Sequence, residues 1–323
     1  MADKKGEIVC VTGASGFIGS WIVHLLLRRG YTVRATIKDL ADERETKHLE
    51  AMEGADSRLR LFQIDLLEYG SIAAAISSAA GVFHVASPST IDQVDDPQRK
   101  LLDPAIKGTL NVLRAAKNLG VGRVVITSSI SSMSTSASPS SLADLSEDSW
   151  VDEDYCRQNG LWYPLSKALA EKAAWKFGKE NGVDLVVVNP GMVVGPILPP
   201  ALNLSMQLMV RTLEGCDFGR FLMASLVHVK DVALAHILLY ENRSAAGRHL
   251  CVESLSRYHE FAQQMERHYP QYKLPRSSEE KHHGSVGSQA ALKKLIDLGL
   301  KYTPMEQIVK DAIESLRSKG YLS

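Results

Sequence analysis

Along the first 190 residues, short apolar runs alternate with stretches in which apolar positions recur every three or four residues. The first pattern suits a strand buried on both faces and the second an amphipathic helix. Their alternation predicts parallel strands joined by helical crossovers. Strands are predicted at 8–11, 31–37, 59–64, 81–85, 124–127 and 185–188, and helices at 16–29 and 97–119. Residues 128–143 are rich in Ser and Ala and read as a loop. After Asn189-Pro190-Gly191, Pro196, Pro199 and Pro200 interrupt the pattern. Helical periodicity returns at 204–213, 231–240, 258–268, 289–298 and 304–316. The expected class is α/β, with a doubly wound parallel sheet covered by helices. Residues 1–190 should form its main part, with a portion of 225–255 returning to it. Residues 191–323 should form mainly a smaller C-terminal lobe.

The first strand runs into Thr12-Gly13-Ala14-Ser15-Gly16-Phe17-Ile18-Gly19, a G-x-x-G-x-x-G turn that opens a helix. Glycine permits the tight turn and lets the backbone approach a pyrophosphate, whose charge the helix N-terminus favours. Between strand and amphipathic helix, this is a Rossmann dinucleotide site. Gly13, Ser15, Gly16, Phe17 and Ile18 are the expected cofactor contacts. The residues after the second strand select the cofactor. Lys38, with Arg34 and Arg44 nearby, favours the 2′-phosphate of NADPH/NADP+ over NADH, while Asp39 argues the other way. Asp65 and Leu66, at the end of the third strand, should meet the adenine edge.

Composition narrows the partners. The 323 residues carry 37 Lys+Arg and 37 Asp+Glu, so there is no basic excess for nucleic acid or acidic lipid. No apolar run reaches the roughly 20 residues that a membrane span needs. The N-terminus lacks the pattern of a signal peptide. Cys10, Cys156, Cys216 and Cys251 form neither a C-x-x-C pair nor a zinc-finger spacing, as in a protein of a reducing compartment. A cytoplasmic protein without bound metal is expected. His84 and His228 lie in apolar runs and read as core or sheet-edge residues, and His282-His283 as a solvated loop.

Tyr163 and Lys167 stand four apart at the start of a helical stretch and share a face. A free Tyr hydroxyl has a pKa of about 10, and a neighbouring ammonium stabilises the phenolate. The pair can therefore deliver a proton to a carbonyl oxygen. Ser129, after strand 124–127, lies at the strand end where open α/β sheets bind ligands, and can hydrogen-bond the same oxygen. Thr127, Tyr163 and Lys167 are also expected to touch the cofactor.

Together these residues resemble the extended short-chain dehydrogenase/reductase superfamily, and within it the plant dihydroflavonol reductase and cinnamoyl-CoA reductase group. The resemblance rests on residues 11–21, Val33-Arg34-Ala35-Thr36, Val82-Phe83-His84-Val85-Ala86-Ser87-Pro88, Trp162-Tyr163 with Lys167, Asn189-Pro190-Gly191, Val194-Gly195-Pro196 and Val227-His228-Val229-Lys230-Asp231-Val232. It implies NADPH-dependent reduction with Ser129, Tyr163 and Lys167 as the catalytic residues. It also implies that Val85, Ala86, Ser87, Pro190 and Val193 line the nicotinamide ribose and ring, and that Lys38 keeps the charge of a usual Arg. Cinnamoyl-CoA reductases proper carry Asn and Cys where this chain has Leu161 and Pro164, and His and Lys where it has Leu208 and Arg211. Ser134 is the nearest match to an Asn of the dihydroflavonol reductases. These departures fit a less specialised relative, a monomer or homodimer, that reduces an aromatic aldehyde or ketone. Met192, Leu198, Leu208 and Phe221, with Ser134, are its expected pocket residues. A true cinnamoyl-CoA reductase, an NAD-dependent sugar-nucleotide epimerase or dehydratase, and a non-catalytic dinucleotide sensor are the alternatives.

Overall fold

A computed structural model describes residues 6–89, 94–134, 145–216, 225–253, 258–272, 274 and 289–322. Seven strands form one parallel sheet: β1 (Ile8–Thr12), β2 (Thr32–Ile37), β3 (Leu59–Gln63), β4 (Gly81–His84), β5 (Arg123–Thr127), β6 (Leu185–Pro190) and a late strand, β9 (Gly247–Cys251). Their order is β3-β2-β1-β4-β5-β6-β9, so the winding reverses between β1 and β4. A crevice opens at such a reversal, outside the carboxyl ends of the strands. The predicted Rossmann sheet is thus present. β9 completes it, paired with β6 from Val186↔Gly247 to Pro190↔Cys251.

Alternate residues of each strand serve opposite faces. Val9, Val11, Val33, Ala35, Phe83, Val125, Val186 and Val188 join one apolar core, while Cys10, Val82, Val124, Ile126 and Val187 join the other. On the first face α1 (Phe17–Arg28) packs against a later helix, α9 (Val229–Glu241). On the second lie α4 (Tyr69–Ile76), α5 (Asp103–Asn118) and α7 (Trp162–Asn181). Burial of both faces is why the strands read as unbroken apolar runs.

The connections differ from expectation in places. The helix expected over 97–119 opens as a wider π-helical turn at Gln98–Leu102 and becomes α-helical only at Asp103. Among the described residues, four helices were not expected from the sequence: α2 (Glu43–Glu50), α3 (Ala55–Arg58) and α6 (Glu153–Gln158), which are short and mostly polar, and α4, whose eight residues are mainly small Ala, Gly and Ser. Asp42 caps α2 and Asp152 caps α6, each side chain accepting from a backbone N–H of the first turn. Of the loop expected at 128–143, residues 128–134 are described and include a 3₁₀ turn, Ile130–Ser132, while 135–143 lie outside the described residues.

After β6 the chain forms a separate two-stranded parallel sheet, β7 (Met192–Val194) and β8 (Leu226–His228). The helices α8 (Leu204–Leu213), α10 (Tyr258–His268), α11 (Gln289–Asp297) and α12 (Met305–Ser318) follow the predicted positions. Buried Met206, Met209, Ile308 and Ile313 join them to the core of the first face. Among the described residues, no helix is long and apolar enough to cross a membrane.

Candidate active site

The glycine turn lies between β1 and α1 at the reversal point. Gly13 has φ +66°, a left-handed conformation that favours glycine. A Cβ there would stand 2.9 Å from the Ala86 Cα, and one at Gly19 only 2.2 Å from the Gly13 carbonyl oxygen. The turn is therefore pressed against both its helix and the end of β4. Gly16 caps α1 with no side-chain hydrogen bond, and the first turn of α1 has no acidic residue. The leading N–H groups are thus left to an anion, and the cradle fits a dinucleotide pyrophosphate.

Beside it, a buried polar cluster ties β1 to β4. The Thr12 hydroxyl oxygen accepts from the Val85 and Ala86 N–H groups, each at 3.1 Å, and donates to His84 Nδ1 at 2.9 Å. His84 Nε2 then donates to the Thr109 hydroxyl at 3.1 Å. Burial, reinforced by the Lys167 charge, pushes the imidazole down to about 3, so His84 is neutral. It fixes the Thr12 hydroxyl that holds the Val85 and Ala86 N–H groups, and reads as a structural residue. At the end of β5, Thr127 donates to His236 Nε2 at 2.7 Å, and His236 Nδ1 donates to the Val232 carbonyl.

Tyr163 and Lys167 lie one turn apart on α7, whose first turn tolerates Pro164 because its N–H would have no helical partner there. The Ser129 hydroxyl hydrogen-bonds the Tyr163 phenol. Burial raises the phenol and this hydrogen bond lowers it, with burial the larger effect. Lys167 Nζ donates to the Thr127 carbonyl at 3.4 Å. Burial brings Lys167 down to about 8, while the Glu171 carboxylate, one turn further along, holds it up.

Sequence reading missed the floor beneath this trio. Glu171 is buried, and its Oε2 accepts from Ser128 at 2.6 Å, Ser132 at 2.9 Å and Asn189 at 3.1 Å. Its Oε1 accepts from Arg248 Nε on β9 at 2.6 Å. The Arg248 guanidinium lies 3.9 Å from the centroid of the Trp150 ring and donates to the Glu147 and Ser149 carbonyls. Glu171 falls at i+4 from Lys167, a spacing visible in the sequence; Arg248 carries no local signal. A small cavity is lined by His84, Ala86, Ser87, Thr127, Ser128, Lys167 and Glu171. It joins the β4 and β5 ends that the sequence assigned separately.

The other expected contacts are scattered. Lys38 is exposed just after β2. Arg34 instead turns to the Ala74 carbonyl and the Phe62 ring, and Arg44 is paired with Asp42 at 2.8 Å. Asp65 is exposed at the end of β3, and Leu66 packs at Gly108. Pro190 and Val193 are buried in β6 and β7. Met192 and Leu208 are buried in the core of the C-terminal part, with Leu208 on α8 and Arg211 exposed beyond it. Leu198 lines a groove of about 370 Å³ with Arg44, Lys47, His48, Pro200 and Lys319, and so keeps company with α2 and not with Tyr163. Ser134 closes the described part of the β5 loop; Phe221 and His282-His283 lie outside the described residues. Among the described residues, no cluster of His, Cys, Asp or Glu could hold a metal ion.

The NAD dependent epimerase/dehydratase family model matches residues 9–252. The chain is 46% identical over 323 residues to cinnamoyl-CoA reductase CAD2 of Medicago truncatula, covering 99% of this chain and 98% of that protein. Vestitone reductase of alfalfa superposes with a TM-score of 0.80 at 34% identity, covering 98% of this chain and 99% of that one. Yeast methylglyoxal/isovaleraldehyde reductase Gre2, solved in complex with NADPH, superposes with a TM-score of 0.82 at 25% identity, covering 98% and 100%.

Proposed function

Because the chain belongs to the NAD-dependent epimerase/dehydratase family, on the side of its cinnamoyl-CoA reductase-like oxidoreductases, we propose that it is an NADPH-dependent carbonyl reductase acting on an aromatic, phenylpropanoid-type aldehyde or ketone. The observation that carries this reading is the convergence of Ser129, Tyr163 and Lys167 at the end of β5, beside the glycine turn. NADPH, when bound, supplies hydride to the carbonyl carbon. Tyr163 gives its phenolic proton to the carbonyl oxygen, and an alcohol results. Ser129 hydrogen-bonds that oxygen and strengthens its hold as charge builds there. The Lys167 ammonium stabilises the phenolate that Tyr163 leaves behind.

Gly13, Ser15, Gly16, Phe17 and Ile18 hold the pyrophosphate in this scheme, Lys38 and Arg44 serve the adenosine end, and 85–87 with Pro190 and Val193 the nicotinamide end. Residues 1–190 with β9 act as the cofactor part, and 191–323 mainly as the substrate lobe. The enzyme works in the cytoplasm as a monomer or homodimer.

Reduction of a hydroxycinnamoyl-CoA thioester is the second reading, favoured by the 46% identity to a cinnamoyl-CoA reductase. Leu161, Pro164 and Leu208 favour the free carbonyl. NADPH oxidation with a phenylpropenal, run beside its CoA thioester, decides. Turnover of the aldehyde alone is the expected result; efficient turnover of the thioester transfers the protein to the second reading, and turnover of neither refutes both.

A further inference from the structure

The β2–α2 turn carries a carboxylate where a dinucleotide fold grips the adenosine ribose. β2 ends at Ile37, and the next two backbone N–H groups, of Lys38 and Asp39, both point at one atom, Glu45 Oε2, at 2.7 and 3.4 Å. The Ser15 hydroxyl of the glycine turn reaches the same atom at 3.5 Å. Glu45 therefore bridges the pyrophosphate turn to the strand end that chooses between a 2′-hydroxyl and a 2′-phosphate. Residues 38–45 hold two cations, Lys38 and Arg44, against four carboxylates, Asp39, Asp42, Glu43 and Glu45. Arg44 is engaged by both oxygens of Asp42, and Lys47, next along α2, pairs with Glu43 at 2.6 Å. Among the described residues, Lys38 is the cation of this stretch without an ion pair.

A carboxylate only accepts hydrogen bonds, and a ribose hydroxyl can donate one. A phosphate is itself an anionic acceptor and needs the donors that Glu45 and Asp42 already hold. We propose that Glu45 is the cofactor-selecting residue of this enzyme: it receives a 2′-hydroxyl where it stands and must leave its seat for a 2′-phosphate, so the protein accepts NADH alongside NADPH. The inference rests on the reading of the glycine turn as a nicotinamide dinucleotide site.

Titration calorimetry of the full chain with NADPH and with NADH tests it through the ratio Kd(NADH)/Kd(NADPH). Glu45→Gln keeps an acceptor for the Lys38 and Asp39 N–H groups, and so keeps the turn, but removes the charge. The ratio should rise on the order of fivefold, the effect of deleting one like-charge contact near the surface. Asp42→Asn keeps an equally good helix cap, frees Arg44, and should move the ratio in the same direction. A ratio unchanged in both variants, with both cofactors bound, overturns the role of Glu45 and leaves the dinucleotide site standing. Failure of the unaltered chain to bind either cofactor overturns the site and the selection together.

Discussion

Replacing Glu171 with Gln should be among the most damaging single changes of near-constant volume in this protein. Glu171 and Arg248 are 2% and 7% exposed and meet at 2.6 Å. Water therefore cannot take over when one partner loses its charge. The substitution leaves the guanidinium buried without a counter-charge. It also turns an amide NH₂ towards donors that now find no acceptor: Arg248 on one side, or Ser128, Ser132 and Asn189 on the other. Removing one partner of a buried pair costs about 3–5 kcal/mol. At roughly 2 °C per kcal/mol for a chain of this size, the melting midpoint should fall by about 6–10 °C. Thermal melts followed by circular dichroism read the loss. Glu171→Gln combined with Arg248→Met should recover much of it, since the double variant leaves no lone charge. A single variant that melts within about 1 °C of the parent would refute the reasoning, because surface changes of no consequence fall in that range.

The remaining expectations concern the trio and its turn. Tyr163→Phe should abolish turnover while calorimetric cofactor affinity stays within about twofold, since only the proton donor is lost. Lys167 comes down to about 8, so the rate of carbonyl reduction should fall as pH rises through that value and the ammonium is lost. In Glu171→Gln, which lacks the carboxylate that holds Lys167 up, pH–rate profiles should place this limb lower. His84 and His236 lie at about 3 and about 4 in the folded chain against an ordinary 6.5, so the unfolded chain binds more protons between these values. Stability should therefore be lost as pH falls from 6.5 towards 4, and denaturant titrations across that window check the sign. Gly19→Ala drives a methyl into the Gly13 carbonyl oxygen, so it should cost about 2 kcal/mol or more by denaturant titration and weaken dinucleotide binding.

What the sequence disclosed and what it withheld divide along a physical line. β1, β4, β5 and β6 were readable because burial on both faces makes each a continuous apolar run. The glycine turn was readable because its geometry is local: Gly13 and Gly19 are forced by contacts inside one strand–turn–helix unit and the adjacent end of β4. Tyr163 and Lys167 were readable because a helix converts a spacing of four into a shared face. Arg248 was not, because its meaning lies in a partner 77 residues away. Glu45 was overlooked for a related reason. It follows Arg44 in the chain, and only the fold turns its carboxylate back to the backbone N–H groups at the end of β2. Leu198 shows the same limit in the C-terminal part, where apolar character alone did not say which groove it would line.

The polar floor also bears on why the late strand belongs to the site. β9 is added at the edge of the sheet beside β6, away from the glycine turn. Yet its Arg248 is shared between Glu171, the carbonyls of Glu147 and Ser149, and the face of Trp150. The Glu147 carboxylate in turn bonds Lys294 on α11. One guanidinium thus fastens the segment after the β5 loop, the middle of α7 and the sheet edge to one another, and α11 joins through Glu147. Lys167 leans on the same Glu171 that Arg248 neutralises. The charge on Lys167 is therefore tied, through Glu171, to a residue of the late strand β9. A change at Arg248 should consequently move the alkaline limb of the pH–rate profile as well as the melting midpoint, whereas a residue that merely fills space at the sheet edge would move the midpoint alone.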